Sequence, residues 1–162
     1  MENSSPAEKF FNNYNPSMED QICFAWNGKH AESFEDSNML FRREVCEIFK
    51  TEKNKASIEL IAALYKAETL FAYEAWGVNR VVSELAQEML ERGGSAYLVT
   101  YAKGIRGMDV FIESARIKLS QGRYKELLSY CQSKFDNGGD EDLIADAWDM
   151  LIKRFTGLAG LA

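Results

Sequence analysis

Proline is nearly absent from this chain. The 162 residues hold two, Pro6 and Pro16, and the 146 that follow hold none. Proline breaks helix interiors and central strands, so its absence leaves a long stretch free to form helices in series. Long apolar runs are missing too. The longest uncharged run, Gly93 to Ala102, is ten residues, about half of what a membrane-spanning helix needs. Met1-Glu2-Asn3-Ser4-Ser5 shows no basic segment followed by an apolar one, so no signal peptide is expected. The three cysteines, Cys23, Cys46 and Cys131, are odd in number and widely spaced. That argues against a disulfide framework and points to a reduced, cytoplasmic setting. Histidine occurs once, at His30, and there is no GxSxG, HExxH, CxxC or phosphate-binding loop.

What is present suits a helical domain. Hydrophobic residues make up 46% of the chain, enough at this length for one sizeable core. Ser5-Pro6-Ala7-Glu8 reads as a capping box with proline at the first helical position, opening a short helix over about 6–14. Ser17 is expected to cap a second helix, with Met18, Ile22, Ala25 and Trp26 on one side and Gly28 at its end. Ser37 caps a third, whose apolar face is Phe41, Val45, Ile48 and Phe49. From Ile58 to Leu90 the pattern stays helical, with a break at Trp76-Gly77-Val78-Asn79. Its first half is apolar on more than one face, as a central helix is.

Gly93-Gly94 stops the next helix. Ser95 to Lys103 reads as helix or strand, and helix is preferred because no second strand is evident to pair with it. Further helices are expected along Met108, Phe111, Ile112, Ala115 and Leu119, ended by Gly122, and along Tyr124, Leu127, Leu128, Cys131 and Phe135. A last one runs from Asp140 to Phe155, with Leu143, Ile144, Ala147, Trp148, Leu151, Ile152 and Phe155 on its apolar face. The expected fold is all-α: a single compact domain, 1–162, of about seven to nine short helices, with helical hairpins packed side by side.

Charge is distributed unevenly. The formal net charge is −6. Asp136 to Asp149 holds six acids (Asp136, Asp140, Glu141, Asp142, Asp146 and Asp149) and no base. A second acidic zone holds Glu19, Asp20, Glu32, Glu35 and Asp36 against Lys29 alone. Lys103 to Lys125 holds six bases (Lys103, Arg106, Arg116, Lys118, Arg123 and Lys125) and two acids. On a continuous last helix, Asp142, Asp146 and Asp149 would stand on one face roughly 5–6 Å apart. Such a row can dock on a basic groove of another protein, or simply keep the surface solvated.

Three other sets of residues carry possible chemistry, each with a plainer reading. His30 with Glu32, Glu35 and Asp36 could form an acid/base or metal site. All four come from one short segment, so a solvated polar turn is preferred and no metal or cofactor is assigned. A cysteine nucleophile needs a nearby base or helix N-terminus, whereas the cysteines sit beside apolar positions that suit packing. The basic stretch could touch phosphates, with Tyr97, Tyr101 and Tyr124 stacking on bases. The acidic balance of the chain favours a solvated or internally paired role for it instead.

The segment Glu84-Leu85-Ala86-Gln87-Glu88-Met89-Leu90-Glu91-Arg92-Gly93-Gly94-Ser95-Ala96-Tyr97, followed by Gly104 and a helix to Leu119, spans about 35 residues. It resembles a family of small acidic helical proteins that includes bacterial DNA mimics. Ser95 stands where that family has an aromatic residue. The resemblance implies an acidic protein that occupies a nucleic-acid-binding partner, and it assigns no functional residue.

The leading expectation is a non-enzymatic binding protein that docks on and blocks a basic protein surface, as an immunity protein, anti-defence inhibitor or DNA mimic does. Its partner-binding residues would be Asp136, Asp140, Glu141, Asp142, Asp146 and Asp149. An enzyme built around His30, a nucleic-acid-binding module built on Lys103 to Lys125, and a homo-oligomer are the alternatives. No membrane association is expected.

Overall fold

Ser5 opens the first helix in the manner its neighbours dictate. Its hydroxyl accepts from the Glu8 amide at 3.1 Å, and the Glu8 carboxylate accepts from the Ser5 amide at 2.6 Å. A computed structural model describes residues 4–160, except for the side chains at 108, 109 and 115. Met1 to Asn3, which bear on the signal-peptide reading, lie outside the described residues, as do the side chains of Met108 and Ala115. Eight α-helices follow in order: α1 (Pro6–Asn13), α2 (Met39–Glu52), α3 (Ile58–Ala75), α4 (Val81–Gly93), α5 (Leu98–Gly104), α6 (Met108–Glu113), α7 (Gln121–Asp136) and α8 (Ala145–Leu158). Short 3-10 turns lie between them, and no strand occurs among the described residues. The fold is therefore all-α, and Ser95 to Lys103 is helical. No described helix is long and apolar enough to cross a membrane.

α3 lies at the centre. Ser57 caps it through the Leu60 amide at 3.2 Å, and Leu60, Ile61, Leu64 and Tyr65 have no solvent exposure. It packs on α4, α5 and α6, while α1 lies on α2 and α7 pairs with α8 as a hairpin. One continuous core results, taking in Val45 and Phe49 of α2, Leu85 and Met89 of α4, and Trp148, Leu151 and Phe155 of α8. The α3–α5 approach depends on Gly104. A Cβ there would stand 2.5 Å from the Tyr65 hydroxyl, a distance that atoms in van der Waals contact never reach. The Tyr65 hydroxyl donates to the Tyr101 carbonyl at 2.9 Å. Tyr101 in turn stacks on Phe155 with ring centres 5.8 Å apart.

Several boundaries differ from the expected ones. Residues 16–21 form a 3-10 turn rather than the start of a helix ending at Gly28, and Asn15, not Ser17, caps it. The stretch from Ile22 to Ser37 is largely irregular, touched by a short turn at Ala31–Ser33 and a single bridge between Trp26 and Asp36. The Met18–Trp26 pattern fits a helix, but the backbone there is fixed from outside. Arg42 extends from α2 with no exposed surface and bonds Asp36 at 2.7 Å and Glu68 at 2.6 Å. It also donates to the carbonyls of Ile22 and Cys23, each at 3.4 Å. Asn38 adds donations to the Asp20 and Cys23 carbonyls. Tertiary bonds thus override local helix preference. Gly122 does not end a helix. Ser120 caps α7 through the Arg123 amide, which puts Gly122 inside the first turn. The preceding helix stops at Glu113 rather than running to Leu119.

Burial shifts the titration of several side chains. For Arg42, burial works to lower the pKa, but hydrogen bonds with Asp36 and Glu68 overcome it and hold the guanidinium above its ordinary value. Burial pushes the Cys131 thiol up to about 12, with Glu126 adding to it, and raises Cys46 as well, with Glu68 adding there. Cys23 differs, lying half-buried in the irregular segment rather than within a helix. Burial also raises Tyr101 to about 12 and Tyr65 well above its ordinary value.

Three outcomes follow from this packing. Arg42→Ala would strand two buried carboxylates and is expected to cost about 3–5 kcal/mol of unfolding free energy. Denaturant titration measures it, and a loss under about 1 kcal/mol would show that the network is unimportant. At about pH 8, only Cys23 is expected to react with a thiol reagent in the folded protein, all three after unfolding. For the tyrosines, folding favours the protonated phenol. That stabilisation is complete below the ordinary value near 10 and is lost as pH rises through the folded value near 12 for Tyr101. Ultraviolet difference absorbance should therefore show the last tyrosines ionising together with the loss of helical circular dichroism.

Candidate docking surface

α8 begins five residues later than the apolar spacing predicts, and this reshapes the acidic segment. α7 ends at Asp136, after which Gly138 and Gly139 take positive φ of 80° and 87°. Gly139 pairs with Ile144 across a one-bridge turn. A Cβ on Gly139 would stand 2.7 Å from the Ala145 amide, so the tight approach itself calls for glycine. Asp140 organises the turn, since its carboxylate accepts from the Asp142 and Leu143 amides at 3.0 and 2.9 Å. A short polar side chain that bonds backbone two and three residues on competes with helix, which is why the helix does not start at Asp140.

The expected row of acids is therefore broken. Asp142 lies on the turn, and only Asp146 and Asp149 belong to α8. The six acids also differ in surroundings. Lys134 bonds Asp140 at 2.8 Å, and this hydrogen bond, helped by the Leu143 and Asp142 amides, holds the Asp140 carboxyl below its ordinary range. Lys153 bonds Asp149 at 2.6 Å one helical turn on. Asp136 accepts from Gln132 at 2.8 Å. Asp142 stands 3.9 Å from Lys103 of α5. Glu141 and Asp146 are exposed, with no ion pair to a described side chain. Asp146 lies in the first turn of α8, where the helix dipole favours an acid.

Ile144 was expected on the apolar inner face and lies outside it. It occupies the position just before α8 and is 70% exposed. The turn thus presents a bare isoleucine among carboxylates. A single irregular residue made the difference: the apolar pattern continues through Leu143 and Ile144, but the Asp140 turn rotates Ile144 outward.

The basic stretch does not form one surface. Arg123 donates twice to the Glu91 carbonyl, at 3.0 and 2.8 Å, and pairs with Glu126. Arg116 pairs with Glu113 at 3.5 Å. Lys118 and Lys125 are exposed. Lys103 and Arg106 line a cavity of about 320 Å³ between α3 and α5, together with Lys66, Thr69, Leu70, Val99, Thr100 and Gly104. The aromatic residues proposed to stack with the stretch are partly committed to the core, since Tyr101 and Tyr124 are buried.

His30 also separates from Asp36, one of its expected partners. Asp36 turns inward to Arg42, while His30 is exposed and packs against Trp26 with ring centres 5.0 Å apart. His30 lines a cavity of about 420 Å³ with Ala31, Phe34, Glu74, Ala75 and Trp76. Glu74, far away in sequence, is the carboxylate there. Among the described residues, no three histidine, cysteine or acidic side chains stand close enough to hold a metal.

That cavity has an unexpected rim. Ala31 and Trp76 have positive φ of 56° and 57°, and Trp76 is 88% exposed. The left-handed conformation disfavours residues with a Cβ. The break at Trp76-Gly77-Val78-Asn79 is legible in the sequence, and the structure places its left-handed residue at Trp76. Comparison with protein-family models, with curated proteins and with solved structures finds no match for this chain.

Proposed function

We propose that this chain is a non-enzymatic binding protein that docks on a basic protein surface through the turn between α7 and α8. The observation that carries this reading is Ile144, 70% exposed at the end of the turn and flanked in sequence by Asp140, Glu141, Asp142 and Asp146. Interfaces draw their affinity from a few desolvated apolar anchors inside a polar rim. The carboxylates supply orientation and on-rate by charge complementarity, rather than much net affinity. Two of the six acids, Asp140 and Asp149, are already balanced by lysines of the same hairpin. Asp136 is bonded to the neutral Gln132 amide, so the docking charge rests on Asp136, Glu141, Asp142 and Asp146. The 3.9 Å pair between Asp142 and Lys103 is exposed on both sides, and such pairs contribute little.

This function is that of an immunity protein, an anti-defence inhibitor or a DNA mimic, each of which acts by occupying a partner's basic surface. A strict copy of a phosphate row is not required, since the acids stand on a turn and a helix end rather than along one helix.

Affinity capture from cells, followed by binding measurements with the recovered partner, tests the reading in two separable ways. Ile144→Ser is expected to weaken binding about tenfold through faster dissociation. Reversal of Glu141, Asp142 and Asp146 to lysine is expected to slow association at low salt, with the effect shrinking as salt rises. A partner whose affinity neither change alters, or one that presents an acidic surface, would overturn the proposal.

A further inference from the structure

The geometry points to a second, small-molecule site: we propose that the cleft between α3 and α5 binds a compound carrying a phosphate group. The cleft does not include the α7–α8 turn, although its Lys103 pairs with Asp142 of that turn. Three cationic side chains, Lys66 of α3, Lys103 of α5 and Arg106 just beyond it, line one cavity of about 320 Å³. This volume falls at the lower end of small-molecule sites, ~300–1,000 Å³. No carboxylate is among its described lining residues. In a chain whose formal net charge is −6, three cations gathered on one concavity make a local positive field, met from outside the lining by Glu19 at Lys66 and Asp142 at Lys103.

The arrangement follows from helical spacing. Lys66 and Leu70 are four residues apart on α3, and Thr100 and Lys103 three apart on α5, so each pair shares a face and the two faces meet across the cleft. Arg106 is held in advance. Its Nε donates to the Lys103 carbonyl at 2.9 Å, and its guanidinium lies 5.4 Å from the centre of the Tyr73 ring. A cation ordered before its ligand arrives costs less to bind with. The lysines reach outward to carboxylates from other elements, Lys66 to Glu19 at 3.0 Å and Lys103 to Asp142 at 3.9 Å. The Lys103–Asp142 pair is exposed on both sides and so worth little; Glu19 is half-buried, but Lys66 itself is exposed, and a multivalent anion can compete for both lysines.

Phosphate suits this lining better than a single carboxylate does. It carries about two negative charges and three acceptor oxygens, which three cations and the Thr100 hydroxyl can meet together. Leu70 and Val99 give the rest of the molecule an apolar wall. A concavity of this size admits a small phosphorylated compound and not a nucleic-acid duplex, which needs a groove-sized surface.

Titration of the isotope-labelled protein followed by amide NMR tests the assignment, with adenosine 5′-monophosphate, inorganic pyrophosphate, citrate and adenosine as probes. The phosphate-bearing probes are expected to produce saturable shifts that centre on Lys66, Thr100, Lys103 and Arg106, whereas adenosine produces none. Lys103→Gln and Lys66→Gln, both on exposed side chains that leave the fold intact, should each weaken binding about tenfold. Lys118→Gln, which alters an exposed cation outside the cleft, should leave it unchanged. The proposal is overturned by an absence of saturable shifts up to roughly 10 mM probe, by shifts spread over the surface, by citrate binding as tightly as pyrophosphate, or by Lys118→Gln weakening binding as much as Lys103→Gln.

Discussion

Tyr65, Tyr101 and Phe155 stack in sequence, with ring centres 6.2 and 5.8 Å apart, and join α3, α5 and α8 into one body. Stacked aromatic pairs add about 0.5–1.5 kcal/mol each beyond the area they bury, and here the polar ends are satisfied as well. The Tyr65 hydroxyl donates to the Tyr101 carbonyl, and the Tyr101 hydroxyl accepts from Arg154 Nε at 2.7 Å. Arg154 then reaches the Phe111 carbonyl of α6 at 2.6 Å. The two surfaces proposed for function both depend on this stack. It sets the separation of α3 and α5, and so the width of the cationic cleft. It also anchors α8, and so fixes where the α7–α8 turn projects. Gly104 is the residue that lets the stack form, because any side chain there would strike Tyr65.

The other half of the molecule is organised by charge instead of stacking. Arg42 is buried with Asp36 and Glu68, and Arg43 stands 4.0 Å from the second oxygen of Glu68. Buried ions are stabilising only when well paired, so this cluster is better understood as a device that specifies one path for an irregular chain. It fixes the stretch from Ile22 to Asp36, which carries Phe24 and Phe34 onto Phe71 and Trp26 onto Phe24 and Phe34. The cavity beside His30 and Trp76 exists because that stretch is held in place without being helical.

Much of the fold was legible because helix signals here are local. Ser5 and the Gly93-Gly94 pair mark helix ends by their own chemistry, and the absence of proline after Pro16 left no competing breaker. The all-α class and the central place of α3 follow from those signals and from a helix apolar on several faces. What escaped were positions decided by distant partners. Nothing near Met18 to Gly28 announces that Arg42 will take its carbonyls. Asp140 and Ser120 resemble ordinary polar residues until their hydrogen bonds are seen. The acidic segment was legible as charge, not as shape. Its row on one helix face dissolved into a turn, and Ile144, read as core, proved to be the exposed residue. The cationic cleft was hidden for the same reason, because it unites Lys66 with Lys103 and Arg106 across 37 and 40 positions of sequence.

The exposed isoleucine of the α7–α8 turn is the point at which a partner would be met. The most direct measurement places a photo-crosslinking amino acid at position 144 in the full chain inside cells, with the exposed position Asn12 as its control. One dominant crosslinked protein is expected at 144, absent at 12, with a contact peptide rich in lysine and arginine. No crosslink above background, or the same products from both positions, would contradict it.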